Sequence, residues 1–574
     1  MREIFQAVCS LLLLLLLPLA AMAQAQVSVD DVKSLRDALA AADGPTVITL
    51  APGRYDFWPE DSAHEWIYVS CTSSEVEWAD KTKVIGLWIY GHTDVTIKAD
   101  GATMVCHGDM TPIGISDSRN ITIEGLEVDF ERPGMSEFTY VSCESGSTVV
   151  RFHKDSWYAI EDGTLQLVGE GWKTETPHCN IYSPADGRVC HARDWDVLSR
   201  CRAVEIEPGL VRFDTPADFT AVPGEVVNVR DRIRRQTGSL IQYSENIRLQ
   251  GMKYRFMHGI GVMSQFTDNV SIVDCVFAPS EQSGRVMASS ADFVHFSDCK
   301  GLVEVRGCTF KGAQDDPINV HGTNLQVVRR TGPRSAVVRF MHHQTYGIRE
   351  YCPGDTVAFG HADMLNRYRK AVVRGVRRLD DREIELTFDR RLPGRLIIGS
   401  DFVENLTWSP EVIISGNHFS RTSTRGVLLT TPRKAIIENN VFEKVRMSGI
   451  LIGADARSWF SSGPVCDVTI RGNRFEDTSF LEGDGFAQIS IHPENSVTGR
   501  RHPVDRNILI EGNTFILGPA NQALFAKSVR GLTFRGNTII RESGDAPEAI
   551  LQCCTEVSID IGEGLLENIP YFWE

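Results

Sequence analysis

The sequence has no surplus of positive charge: 59 lysines and arginines face 75 aspartates and glutamates, for a net charge of −16. A nucleic-acid partner would need a basic face, so this balance argues against one. Carbohydrate binding needs no net charge and stays open. No apolar run of membrane length follows the N-terminal one, which argues against a spanning helix. No Cys-x-x-Cys pair is present, so a zinc-ribbon framework is not expected. The leucine-rich consensus of horseshoe repeats is also missing. What is present, 42% hydrophobic and 23% charged residues, belongs to a folded chain. A length of 574 residues exceeds one ordinary globular core but suits an elongated repeat fold.

The N-terminus reads as an export signal. Arg2 precedes an apolar run over residues 11–17, and Ala21, Met22 and Ala23 form a small-residue cleavage signature. Residues 1–23 are therefore expected to be removed, leaving a periplasmic or secreted chain. Cys9 precedes the apolar run, which argues against lipoprotein processing. The thirteen cysteines beyond it are odd in number and scattered. They read as small buried apolar residues more than as a disulfide framework.

One pattern recurs: an alternating apolar strand, a Gly or Asn, then Phe or a similar residue. Its copies are NITIEGLEVDF at Asn120, NIRLQGMKYRF at Asn246, NVSIVDCVF at Asn269, VEVRGCTF at Val303 and VIISGNHF at Val412. AIIENNVF at Ala435, VTIRGNRF at Val468, ILIEGNTF at Ile508 and LTFRGNTI at Leu532 complete the set. Asn246 to Asn269 and Val412 to Ala435 are steps of 23 residues, and Ile508 to Leu532 is 24. A period in the twenties with strand alternation predicts an all-β, right-handed parallel β-helix. Asn and Gly supply its left-handed corners, and Phe fills its interior.

The solenoid needs a cover at its open end. Val32, Leu35 and Leu39 fall at helical spacing within residues 30–44, predicting a capping helix ended by Gly44. TVITLAPGRYDF then reads as the first strand and turn. Two β-rich segments lack the coil motif, so the chain divides as follows. Residues 24–132 form the cap and first coils, 133–232 an insertion, and 233–322 the central coils with the candidate acids. Residues 323–404 form a second insertion, and 405–574 the C-terminal coils and tail. Both insertions contain a Pro-Gly-acid strand, PGEVVNV at Pro223 and PGDTVAF at Pro353. They are expected to leave the solenoid and wall a cleft.

A second strand column follows the first, and it carries the polar residues that sit oddly in apolar strands. Asp292 in SSADFVHF precedes Asp315 and Asp316 of GAQDDPINVHG by 23 and 24 residues, one coil. A lone acid at a β-helix corner ordinarily caps a turn or binds calcium. Three on adjacent rungs repel one another, and the resulting split in pKa is what general acid–base hydrolysis needs. Strand parity turns Val294, Ile318 and Val320 inward, so His295, Asn319 and His321 line the outer face. Parity cannot turn both Asp315 and Asp316 outward, so one depends on the turn before Pro317. His295, His321 and His492 read as polar or subsite residues rather than metal ligands, since no ligand spacing repeats. No metal or cofactor is expected. Arg421, Arg425, Arg433 and Lys434 lie close in sequence, where they contact a sugar or balance the acids.

The stretches QDDPINVHG, SSADFVHF and LTWSPEVIISGNHFSRTSTRGVLLTTPRKAIIENNVF resemble the bacterial α-1,3-galactosidases of glycoside hydrolase family 110, over nearly the whole mature chain. The resemblance implies an exo-acting, inverting enzyme on a β-helix that removes terminal α-1,3-linked galactose, as in the blood-group B epitope. It implies Asp315 as general acid and Asp292 with Asp316 as the base pair. Asn319, His295, His321, Arg421, Arg425 and His492 are then candidate substrate contacts. The expected partner is an oligosaccharide or glycoconjugate with terminal α-galactose. The reading leans toward the galactosidase B-like group, which accepts linear as well as branched structures. Oligomeric state stays open, a homo-oligomer included. An inverting polygalacturonase-like uronide hydrolase and a non-catalytic glycan-binding β-helix are the alternatives, with a lyase behind them.

Overall fold

A computed structural model describes residues 24–481, 486–498, 502–541 and 543–569. The predicted export signal lies outside these residues. The period-2 segments form parallel strands that stack into a β-helix. One sheet has thirteen strands and a second eleven. The third runs through Val262–Gln265, Val294–Ser297, Ile318–Arg330, Val427–Leu429, Ile450–Ile452 and Ile489–Ile491, each parallel to the next. This third sheet is the second strand column of the sequence.

The recurring residues do what their chemistry dictates. Phe277, Phe310, Phe419, Phe442, Phe475 and Phe515 stack ring on ring, with neighbouring centroids 4.6–5.1 Å apart. That spacing matches the roughly 4.8 Å rise between strands. A ladder of buried asparagines runs beside them. Asn417, Asn440, Asn473 and Asn513 each donate backbone and side-chain N–H to the Oδ1 of the asparagine on the next coil, at 2.9–3.0 Å. The corners adopt left-handed backbone, as at Asn246, Asn269 and Gly307. Gly307 (φ +66°) has a second reason to be glycine. A Cβ there would lie 2.4 Å from Asp274 Oδ1.

The cap is the helix Val32–Ala40, whose N-terminus is closed by Asp31 accepting from the Ser34 N–H at 2.6 Å. Leu35 and Leu39 join the solenoid core. A strand before the helix, Ala25–Val29, pairs in parallel with Thr46–Leu50 and so opens the first sheet. The sequence reading began that sheet one strand late.

Two antiparallel units leave the coils without breaking the stack. Arg119–Glu124 pairs directly with Glu245–Gln250 across the first excursion, and Lys300–Arg306 with Glu411–Ser415 across the second. The first unit is a seven-stranded sheet with its own core around Phe138, Val150, Trp195 and Phe213, and it includes the short helix Asp194–Leu198. The second is a closed ring. Ile318–Arg330 continues out of the third sheet and pairs with Ser335–Arg339 on one side and Phe402–Asn405 on the other. Glu383–Phe388, Asn366–Arg378 and Thr356–His361 complete the circle. All thirteen cysteines of the described chain are free thiols.

Replacing Phe442, buried mid-stack, with alanine opens a cavity between two rings. We expect a loss of about 3–5 kcal/mol in urea-induced unfolding. An unchanged midpoint would show that the ring stack contributes nothing.

Candidate active site

A cleft of about 1050 Å³ opens on the outer face of the third sheet. Its floor is built from successive rungs. Val294, Ile318 and Val427 stack inward, and parity turns His295, Asn319 and Leu428 outward above them. Asp292, Asp315 and Asp316 border this floor, with Asp455, Trp459, His492 and Glu494 on the same cleft. Two further lining residues come from outside the coils: Cys71, from the segment after the first strands, and Arg234, where the chain returns from the first excursion.

Both Asp315 and Asp316 face the cleft. The turn that parity alone required is pinned by the Asp315 N–H to Ala291 O and by the Phe293 and Val294 N–H groups to Asp316 O and Pro317 O. The three carboxylates differ in depth. The side chains of Asp292 and Asp316 are 4% and 1% exposed, whereas that of Asp315 is 27% exposed. Asp315 meets Arg234 Nη2 at 3.3 Å. Asp316 accepts from Thr424 Oγ1 at 2.9 Å, from the Arg425 N–H at 3.2 Å and from Arg425 Nη2 at 2.6 Å.

Burial pushes Asp316 up to about 7. Arg425 works against that rise, while Asp315 and Asp292 add to it. Burial and the charge of Asp315 also raise Asp292, against the pull of His295. His295 Nδ1 lies 2.6 Å from Asp292 Oδ2. Burial disfavours the imidazolium, but Asp292 and the Cys71 sulfur outweigh it and take His295 up to about 10. Both partners move upward, the imidazole because it gains a carboxylate and the carboxyl because it is buried beside another acid. One proton holds the contact, and we place it on Nδ1. His295 Nε2 lies 2.7 Å from His321 Nε2, and His321 Nδ1 lies 2.8 Å from Gly322 O. A carbonyl only accepts, so His321 carries its proton on Nδ1 and its Nε2 accepts from His295.

Asn319 Oδ1 is buried with no protein donor. Such an acceptor on a cleft floor is placed to receive a ligand hydroxyl. Trp459, about half exposed, stacks on His342 of the second excursion with centroids 4.2 Å apart, giving the rim an aromatic plate.

His295, Asn319, His321, Arg425 and His492 thus line the cleft with the three acids. Arg421 does not. Its backbone is left-handed (φ 55°), and its guanidinium turns to Val286 O and the Tyr182 hydroxyl of the first excursion. Arg433 bonds Leu406 O and lines a different hollow, so of the four clustered basic residues Arg425 alone lines the cleft. Sequence reasoning missed Cys71, Arg234, Asp455, Trp459 and Glu494. Asp455 ends a recognised strand of the column, and its position was a usable signal. Cys71 and Arg234 lie outside any repeat and carried none.

A parallel β-helix bearing a cleft of clustered carboxylates, an aromatic rim and an unpaired amide oxygen defines a carbohydrate-active protein. Models of the GLAA-B β-barrel domains I and II match residues 136–227 and 335–399, on the two excursions. An α-1,3-galactosidase A of Bacteroides fragilis (strain YCH46) is 46% identical over 87% of this chain and 82% of its own. An α-1,3-galactosidase B of Bacteroides thetaiotaomicron is 33% identical over 91% and 86%. An α-1,3-galactosidase A of Streptomyces avermitilis is 33% identical over 88% and 83%. The chain belongs to this family of bacterial α-1,3-galactosidases, glycoside hydrolase family 110, and is a glycosidase.

The Asp316–Arg425 contact can be tested by infrared difference titration of the parent protein against Asp316→Asn. The carboxyl band should titrate near 7 in the parent. Arg425→Gln should move it upward by about 1 unit or more. A parent band titrating at about 4, the ordinary carboxylate range, would contradict the burial argument.

Proposed function

We propose that this cleft removes terminal α-1,3-linked galactose from glycans, blood-group B and linear α-1,3-galactosyl structures among them, by hydrolysis with inversion. The observation that carries the reading is the graded depth of the three acids, in a family whose relatives are named for α-1,3-galactosidase activity. In an exo-acting cleft the terminal sugar enters first, and the leaving oxygen faces the mouth. Asp315, the outermost acid, protonates that oxygen. Asp292 and Asp316, deeper, hold a water against the opposite face of the anomeric carbon and take its proton as the new C–O bond forms. The product is β-galactose.

The supporting residues have chemical work in this scheme. Arg425 holds Asp316 toward its ionised form, and Arg234 orients Asp315. The His295 imidazolium pairs with Asp292. Asn319 Oδ1 accepts a hydroxyl proton from the bound sugar, and Trp459 offers an apolar face at the rim. A uronide substrate is disfavoured by the same geometry. Among the described lining residues both arginines already face an acid, which leaves neither for a substrate carboxylate. The N-terminal signature supports action outside the cytoplasm, in the periplasm or the medium.

Incubation with α-1,3-galactobiose and with the branched B oligosaccharide, followed by proton NMR, should show β-galactose appearing first. Initial α-galactose, or no galactose from either substrate, would overturn the reading. Asp315→Asn and Asp316→Asn should each lower kcat by about 10²-fold or more, with the fold intact by circular dichroism. A glycan-binding protein without catalysis would show binding and no turnover to lose.

A further inference from the structure

One group in the cleft has no part in the hydrolytic scheme. The Cys71 sulfur lies 3.8 Å from His321 Nε2, and the ligand atoms of Cys71, His295 and His321 all fall within 4.8 Å of one another. All three residues are buried, with exposures of 7%, 2% and 5%. They come from three separate stretches of chain. Cys71 is set by a left-handed backbone (φ 59°), its N–H donating to Thr345 Oγ1 and its carbonyl accepting from Arg234.

The outer partners of the two imidazoles are those found behind metal-ligating histidines. His295 Nδ1 is held by a carboxylate and His321 Nδ1 by a backbone carbonyl. Both tautomers therefore turn Nε2 toward the same point. In the present arrangement a single proton fills that point, between nitrogens 2.7 Å apart.

We propose that Cys71, His295 and His321 form a site for a thiophilic divalent cation, with zinc as its natural probe. A zinc ion takes a thiolate at about 2.3 Å and imidazole nitrogens at about 2.0–2.1 Å in tetrahedral geometry. That geometry places sulfur about 3.6 Å from each nitrogen and the nitrogens about 3.4 Å apart. The Cys71–His321 distance is already close to this, and the two rings must part by about 0.7 Å. The ion would replace two protons, the one on His295 Nε2 and the thiol proton of Cys71, both of which leave to solvent, while His295 Nδ1–H continues to donate to Asp292. Three protein ligands leave the fourth position open to the cleft, so a bound ion and its water stand where the sugar enters. The site is thereby an inhibitory one. The sequence had argued against a metal at His295 and His321 because no ligand spacing repeats, and Cys71, more than two hundred positions away, gave no signal of its own.

The metal site stands on its own geometry, whereas inhibition rests on the reaction proposed for the cleft. The full mature chain, titrated with cobalt(II) as a spectroscopic stand-in for zinc, should develop a near-ultraviolet thiolate-to-cobalt charge-transfer band that saturates at one ion per chain. Zinc should abolish the band by displacement. Cys71→Ser and Cys71→Ala should each lose it, with cobalt and zinc binding weakened at least tenfold by calorimetry and circular dichroism unchanged. No saturable band in the parent protein, or a band that survives in either variant, overturns the site. Zinc should also suppress hydrolysis in the parent, reversibly with chelator, and less so in Cys71→Ser. If the band behaves as expected and zinc leaves turnover untouched, the inhibitory role is overturned and the site kept. A protein that cleaves neither galactoside still reports the site through its band.

Discussion

The parallel register of the coils is the constraint on which everything else rests. Val294 lies over Ile318 and Ile318 over Val427, so each outward residue lands beside the outward residue of the next rung. From Phe277 to Phe515 that register is held by the phenylalanine stack, and from Asn417 to Asn537 also by the asparagine ladder, which couple these coils through contacts repeated at the strand spacing. A one-residue slip would turn the apolar set outward and the histidines inward. The interior therefore enforces the position of the cleft floor. It also lets long excursions leave and return, because the strand after each excursion has a vacant sheet edge waiting for it.

The cleft then concentrates charge that a surface would disperse. Two deeply buried carboxylates and a third at their border are balanced by Arg425, Arg234 and the His295 imidazolium. Burial raises Asp316 and Asp292, and the cations restrain that rise. The result is two deep acids raised by burial and a third nearer the mouth, so the three meet a bound sugar at different depths. Such a cluster is costly to fold by itself. It persists because the solenoid on which it stands is stabilised along its whole length.

The excursions contribute less directly than their size suggests. Their β-strands close cores of their own, around Phe138 and Trp195 in one and around Val338 and Phe359 in the other. What reaches the cleft comes from their margins: Arg234 on the return from the first, and His342 beneath Trp459 from the second. The expected walling of the cleft by these insertions does not appear among its described lining residues, which come from the coils and from the segments at Cys71 and Arg234.

The amino-acid sequence alone determined the β-helix, its capping helix, the inward phenylalanines and the outward row of His295, Asn319 and His321. Each of these depends on a short-range periodicity that one chain segment carries by itself. The repeat distance was enough to bring the three acids to adjacent rungs. Only the tertiary structure decided the rest. It sent Arg421 away from the cleft, committed Arg425 to Asp316, placed Arg234 against Asp315 and brought Cys71 to the two histidines. Those contacts join residues from segments that share no period. Their positions follow from where non-repeating chain packs on the coils, and no local pattern encodes that packing.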